Sequence, residues 1–276
     1  MNIVDFHVHT SCSDGLLSPS DIVKRAKKNK VSHLAITDHD TLSGLEEAIE
    51  SSKQLGIAVI PGIELSTQYN DESIHLLGFF KDNNFMNKEL IKELDKIKNH
   101  RLTRAKEIIK KLKSEFNIII NFDDVISQGK DTIARPHIAR EIIKAGYPYD
   151  LEYIFANFIG KNCKAYVPTL KISTQDGISL LKSYNALVFL AHPKLINNTS
   201  INTFLEMDLD GIEAIYFQNT RDEEAYFLDI AEKNNLLVSS GSDFHGNIED
   251  DKRHGDVGTM TLSDKHLNKF LNALNS

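Results

Sequence analysis

Seven short apolar runs, interleaved with amphipathic helical patterns, constrain this chain more than any other feature. They cover residues 2–8, 33–37, 57–60, 73–80, 186–191, 211–217 and 236–240. Each is rich in Ile, Val, Leu or Phe and is bounded by Gly, Pro, Asp or Asn, as buried strands are. Helix signals lie between most of them. Ser18-Pro19-Ser20-Asp21 reads as a helix start, with Ile22, Val23 and Ala26 as its apolar face. Residues 42–55 repeat the pattern and stop at Gly56, and residues 221–234 form a third example. Strands alternating with helices predict a parallel α/β sheet, either open or closed into a barrel.

The rhythm breaks after Phe80. Residues 82–165 predict helices over 88–116, 136–145 and 150–158; the first carries Leu90, Leu94, Ile97, Ala105, Ile108 and Leu112 at helical spacing. The expected organisation is therefore an α/β body of residues 1–81 and 166–276, interrupted by a helical insertion, 82–165. A short amphipathic helix is expected over 266–276.

Composition narrows the function classes. A chain of 276 residues with 41% apolar and 26% charged positions has the profile of a soluble globular protein. Its apolar runs, such as 186–191, are far too short to span a bilayer, so no membrane association is expected. Asp5 stands where a secretory leader needs basic residues, and a cytoplasmic location is expected. Two cysteines, Cys12 and Cys163, are too few for a disulfide framework. A net charge of −7 disfavours a nucleic-acid coat protein, and stable binding of duplex DNA is not expected. The charge is uneven. The insertion carries 16 Lys/Arg against 12 Asp/Glu, whereas the remainder carries 16 against 27. An acidic body that handles an anion needs local cations.

Most of the eleven histidines fall beside strand ends. His7 and His9 close the first run and are followed by Asp14. Asp38 and His39 follow the second, Glu64 the third. His75 lies in the fourth, His192 follows the fifth, and Asp243 and His245 follow the seventh. In a parallel barrel these ends share one face. A single His near a strand end is an ordinary structural hydrogen-bonder. With Asp38 set aside, six His, two Asp and one Glu at six of seven strand ends exceed what packing requires, because buried charge costs several kcal/mol, roughly, unless paired or metallated. Imidazole with carboxylate is the ligand set of Zn²⁺, Mn²⁺ or Fe²⁺, and nine ligands imply two or three ions with a bridging carboxylate. Of the rest, His33 reads as packing, His100 and His266 as solvated, and His254 as an exposed loop residue. His137 starts a helix and could face the cleft.

These residues, in this order, resemble the polymerase-and-histidinol-phosphatase (PHP) family. The likeness runs through Asp5-Phe6-His7-Val8-His9-Thr10, Ser13-Asp14-Gly15, Thr37-Asp38-His39-Asp40, Pro61-Gly62-Ile63-Glu64, His75-Leu76-Leu77-Gly78, Ala191-His192-Pro193 and Ser242-Asp243-Phe244-His245. It implies a distorted seven-stranded β/α (TIM-like) barrel with a trinuclear metal centre. One ion would take His7, His9, Glu64 and Asp243, a second Glu64, His75 and His192, and a third Asp14, His39 and His245. Asp38 would orient a ligand imidazole. The insertion, with Arg101, Arg104 and Arg135-Pro136-His137, resembles the TrpH-like branch, whose members act as nucleoside 3′,5′-bisphosphate phosphatases or 5′→3′ exoribonucleases on short RNA.

Charge supports that chemistry. Three divalent ions against Asp14, Glu64 and Asp243 leave a field of about +3, which attracts phosphate. A bound divalent ion lowers the pKa of water from about 15.7 to about 7, so the expected nucleophile is a metal-bound hydroxide and no side-chain nucleophile is needed. Arg101, Arg104, Arg135 and His137 are the candidates for holding a second phosphate, since guanidinium forks match phosphate oxygens. The leading expectation is a phosphoesterase acting on a small nucleotide or short RNA. The alternatives are a histidinol-phosphate phosphatase, a non-phosphate metal hydrolase, and a non-catalytic metal-stabilised module that binds nucleotide or protein.

Overall fold

The computed structural model describes residues 1–128, 133–168, 172–246 and 253–276. The chain begins with β1 (Asn2–Asp5), α1 (Pro19–Lys28), β2 (His33–Ile36), α2 (Leu45–Leu55), β3 (Ala58–Tyr69) and β4 (Glu72–Phe80). Four helices follow: α3 (Lys88–Phe116), α4 (Phe122–Gln128), α5 (Arg135–Lys144) and α6 (Leu151–Ile154). The chain then returns to the sheet through β5 (Ile172–Ser173), α7 (Thr174–Ser183), β6 (Ala186–Leu190), α8 (Ile201–Leu205) and β7 (Gly211–Tyr216). It ends with α9 (Arg221–Lys233), β8 (Leu237–Gly241), β9 (Thr261–Leu262) and α10 (Asp264–Leu274).

Local chemistry explains the element boundaries. Ser18 caps α1 by accepting from the N–H of Asp21, with Pro19 at the first helical position and Arg25, Lys27 and Lys28 in the last turn. Thr220 and Glu223 form a reciprocal capping box on α9. The long α3 starts at Asn87, whose side chain accepts from the N–H of Glu89, and ends at Asn117 in a left-handed conformation.

Among the described residues the strands form one nine-stranded sheet in the order β8-β7-β6-β4-β3-β2-β1-β9, with β5 paired to β3. This corrects two expectations, the count of seven and the all-parallel pairing. β4 is antiparallel to both β3 and β6, and β9 is antiparallel to β1. The reversal follows from Asn70 and Asp71, both at positive φ (45° and 61°), between the paired Tyr69 and Glu72. That is the geometry of a two-residue hairpin. The apolar run at 57–60 marks only the start of β3, which continues to Tyr69. β5 and β9 have two residues each, too few for a periodic signal.

The ends of this sheet meet. Beyond β1 the backbone N–H of Phe6 donates to Ser240 O (2.8 Å), that of Asp243 to His7 O (2.9 Å) and that of His9 to Phe244 O (3.0 Å). The sheet is thus a nearly closed barrel. Its seam brings residues from the two extremes of the chain together.

Phe6, Phe79, Phe189 and Phe270 pack in the main core, with Phe270 of α10 stacked on Phe6 at 4.6 Å. Leu90 and Leu94, from the first half of α3, join this core. The second half of α3 packs elsewhere. Ala105, Ile108 and Leu112 pack with Val125, Ile138, Ile142 and Ile154 in a second apolar cluster. No helix among the described residues is long and apolar enough to cross a membrane.

Candidate metal centre

His7 and His9 lie two apart on an extended segment, so they face the same way. Both are fully buried. Their Nε2 atoms are 3.1 Å apart. The closing seam sets Asp243 opposite, with Oδ1 3.4 Å from His7 Nε2 and 3.1 Å from His9 Nε2. β3 carries Glu64 into the middle. Its Oε2 lies 3.2 Å from His7 Nε2, 3.1 Å from His9 Nε2 and 3.0 Å from His39 Nδ1. Its Oε1 lies 2.7 Å from His75 Nδ1 and 2.9 Å from His192 Nε2. One carboxylate therefore faces five imidazoles. The antiparallel pairing of β4 sets His75 opposite Ser66, two residues beyond Glu64, so the unforeseen hairpin helps build this arrangement.

On the other side, Asp14 Oδ1 is 3.3 Å from His245 Nε2 and 3.7 Å from His9 Nδ1, and Asp14 Oδ2 is 4.0 Å from His39 Nε2. Ligand-capable atoms fall into mutually close groups: His7, His9, Glu64 and Asp243; His9, Asp14, His39 and His245; His39, Glu64 and His75; and Asp243, His245 and His254. All nine expected ligand positions are brought together. The grouping differs in detail from the expected one. His39 accompanies Glu64 and His75, whereas His192 stands outside these groups with its Nε2 2.9 Å from Glu64.

Divalent ions fit this donor set. His9 Nδ1, Asp14 Oδ1, His39 Nδ1 and Glu64 Oε2 are buried without a hydrogen-bond partner. The three contacts to Glu64 Oε2 are close yet do not count as hydrogen bonds, which leaves this oxygen free to bind a cation. Separations near 3 Å resemble the edge of a tetrahedron with bonds of about 2.0 Å, which is about 3.3 Å. Unpaired buried polar atoms are costly, and coordination removes that cost.

The electrostatics are those of interlocked opposite charges. Burial opposes ionisation of Glu64, but His39, His7 and His75 outweigh it and hold the carboxyl well below its usual range. Burial likewise opposes ionisation of Asp14, and His245 and His39 overcome it. Burial opposes protonation of His9, yet the carboxylates of Asp243 and Glu64 beside it raise its pKa to about 10. In His39 burial prevails over Glu64 and Asp14, and the pKa falls to about 3.

Several supporting residues were not foreseen. Glu213, fully buried in β7, reaches His7 Nδ1 at 3.0 Å and accepts the backbone N–H of His192 at 2.7 Å. His192 sits at φ 26° and Asp243 at φ 55°, uncommon values for these residues. Tyr216 donates its hydroxyl to Asp243 Oδ2 (3.1 Å) and receives a bond from Gln218. His254 lies half-buried, its ring 4.4 Å from that of His245 and its Nε2 3.7 Å from Asp243. The signal for Glu213 was present: a lone carboxylate inside Gly-Ile-Glu-Ala-Ile-Tyr must be paired when buried.

Asp38 corrects an expectation. Its described hydrogen bonds go to the N–H and Oγ1 of Thr10 (both 2.7 Å) and to Ser13, not to an imidazole. It braces the turn that presents Asp14, because three donors from that turn converge on it.

Residues of α3 and α5 lie against this centre. Arg140 donates to Asp14 O at 3.0 Å. His137 accepts from the N–H of Ala134 on Nδ1 (3.0 Å), so the neutral ring carries its proton on Nε2. Burial lowers its pKa to about 4. Arg101 is buried and bonded to Asp40 and to Ser66 Oγ (2.9 Å). Arg104 donates Nε to Val167 O (2.7 Å), Arg135 donates to Ile159 O (3.2 Å), and both lie over the ring of Tyr166. Burial, with Arg135 and Arg101 nearby, lowers the Arg104 pKa to about 10. Among the described residues neither Arg104 nor Arg135 has an ion-pair partner.

Residues 5–145 match the PHP domain. A 5′-3′ exoribonuclease of Haemophilus influenzae is 30% identical over 247 residues, covering 87% of this chain and 89% of the relative. A 3′,5′-nucleoside bisphosphate phosphatase of Chromobacterium violaceum is 28% identical, covering 88% and 87%. A crystal structure from Bifidobacterium adolescentis, described as a metal-dependent phosphoesterase, superimposes with a TM-score of 0.84 at 31% identity over 98% of this chain and 95% of that one.

Proposed function

The chain belongs to the PHP-domain family, and from that premise we propose that it is a metal-dependent phosphoesterase acting on 3′,5′-bisphosphonucleosides or on the 5′ end of short RNA. The observation that carries this reading is Glu64 set among five imidazoles, with Asp14 and Asp243 completing the donor set. In this reading His7, His9, Asp14, His39, Glu64, His75, His192, Asp243 and His245 hold two or three divalent ions of the Mn²⁺, Fe²⁺ or Zn²⁺ type. Such ions would supply an acidified water and neutralise charge on phosphoryl oxygens when bound.

The protein's own groups do the rest. Arg104 and Arg135 offer unpaired guanidinium N–H groups to a second phosphate, and Tyr166 holds both planes in place. Arg104 and Arg135, without a compensating carboxylate among the described residues, raise the local potential; an arriving phosphate relieves their repulsion. Arg101, fixed by Asp40 and Ser66, adds to that potential. His137, neutral at pH 7, contributes a donor and no charge. Residues 1–81 and 166–276 serve as the barrel that carries the centre, and residues 82–165 as the segment that covers the substrate.

The test is a substrate panel of adenosine 3′,5′-bisphosphate, AMP, histidinol phosphate and a 5′-phosphorylated oligoribonucleotide, each with Mn²⁺ and with chelator. Turnover of the bisphosphate or the oligonucleotide, lost with chelator and in His9→Ala, is expected. Turnover confined to histidinol phosphate, or undiminished in His9→Ala, refutes the proposal.

A further inference from the structure

A cavity of about 320 Å³ opens beside the centre, between the loop after β2 and the first half of α3. Its volume falls in the range of about 300–1,000 Å³ typical of small-molecule sites. The apolar walls are Leu42, Phe85, Ile91 and Leu94. Glu46 and Asp95 stand at its rim, both exposed and, among the described residues, without a hydrogen-bond or ion-pair partner. Asp40 also lines it, directly after His39 in sequence, and pairs with Arg101.

The placement is specific. One face of α3 runs from Leu94 to Arg101, seven residues or two turns, about 10 Å along the axis. An apolar slot thus lies one short step from the arginines and the imidazole cluster. A flat, largely apolar ring bearing N–H donors suits such walls and such a rim. A phosphate suits it less, because the carboxylates of Glu46 and Asp95 outnumber Lys98, the cation that also lines the cavity.

We propose that this cavity receives the nucleobase of the substrate, with its rim carboxylates accepting from an exocyclic amine. The inference rests on the phosphoesterase reading above and adds a base site to it. Adenine, guanine and cytosine carry the amine; uracil does not. A charge-assisted hydrogen bond distinguishes them by about tenfold or more.

Two measurements test it independently. The metal-loaded protein is photolabelled with 2-azidoadenosine 3′,5′-bisphosphate and the attachment site is mapped; label within residues 41–46 or 85–98, competed by unlabelled adenosine 3′,5′-bisphosphate, is expected. In parallel, kcat/KM is compared for adenosine 3′,5′-bisphosphate, uridine 3′,5′-bisphosphate and ribose 3,5-bisphosphate. Ile91→Trp, at a half-exposed wall position, should lower the adenosine-to-ribose ratio by about tenfold. Glu46→Gln with Asp95→Asn should shrink the adenosine-to-uridine preference. Label elsewhere, or equal kcat/KM for the nucleotides and the bare sugar, overturns the base site while the phosphoesterase reading stands. Label in the cavity with no turnover of any bisphosphate refutes the activity and leaves the base site supported.

Discussion

Glu213 holds His7 from behind: its carboxylate meets Nδ1 at 3.0 Å and leaves Nε2 turned toward Glu64 and Asp243. A carboxylate in this position fixes the tautomer of the imidazole and raises its basicity as a ligand. The same carboxylate anchors the backbone of His192 in its left-handed conformation, so one buried group orients two of the converging residues. Glu213→Gln keeps the shape and weakens the charge; Glu213→Ala removes both. Metal affinity, measured by competition with a chromophoric chelator, should fall by about 10- to 100-fold, with Ala worse than Gln. Unchanged affinity in both variants would show that Glu213 has no part in orienting the site.

Metal uptake should depend steeply on pH. Without metal, His9 keeps its proton to about pH 10, because Asp243 and Glu64 outweigh its burial. An ion must displace that proton, so apparent affinity should rise about tenfold per pH unit for each proton released. The sign for stability is opposite in the metal-free protein. A histidine raised from 6.5 to about 10 stabilises the fold fully below pH 6.5, and that contribution is lost as pH rises through 10. Thermal melts with and without Mn²⁺ between pH 6 and 9 should therefore diverge as pH increases. Parallel curves would contradict the assignment.

Arg135 should separate two kinds of substrate. Its guanidinium is held by Ile159 O and by the faces of Phe155 and Tyr166, with no carboxylate among the described residues to neutralise it. Arg135→Ala should raise KM for a bisphosphate by about 10- to 100-fold and affect a simple phosphomonoester much less. Equal losses on both substrates would remove Arg135 from the second phosphate site.

Gly241 is required by close approach. A Cβ there would lie 2.3 Å from His7 Cβ and 2.4 Å from Glu213 Oε1. Gly241→Ala should destabilise the fold by about 1–3 kcal/mol through overpacking and should also reduce metal affinity by pushing His7 off its position. Denaturant unfolding and metal titration check the two effects separately. A stable variant with normal metal binding would show that the barrel yields at this point.

The residue types at strand ends were readable because metal chemistry demands a narrow set of side chains, and His7, His9, Glu64, His192 and Asp243 stand beside clear apolar runs. Local periodicity sufficed likewise for α3, whose ends match the helical pattern. The hairpin at Asn70 and Asp71 was missed although its turn residues are favourable, because its strands lack strict alternation. The function of Glu213 was harder still to read, since a carboxylate's partner can lie 206 residues away. Sequence alone supplied most of the candidate ligand residues and the longer strands and helices, since both depend on residue identity and short-range spacing. Tertiary structure alone decided which of those atoms face one another, because that depends on the seam joining residues 6–9 to 240–244 and on the reversal of one strand.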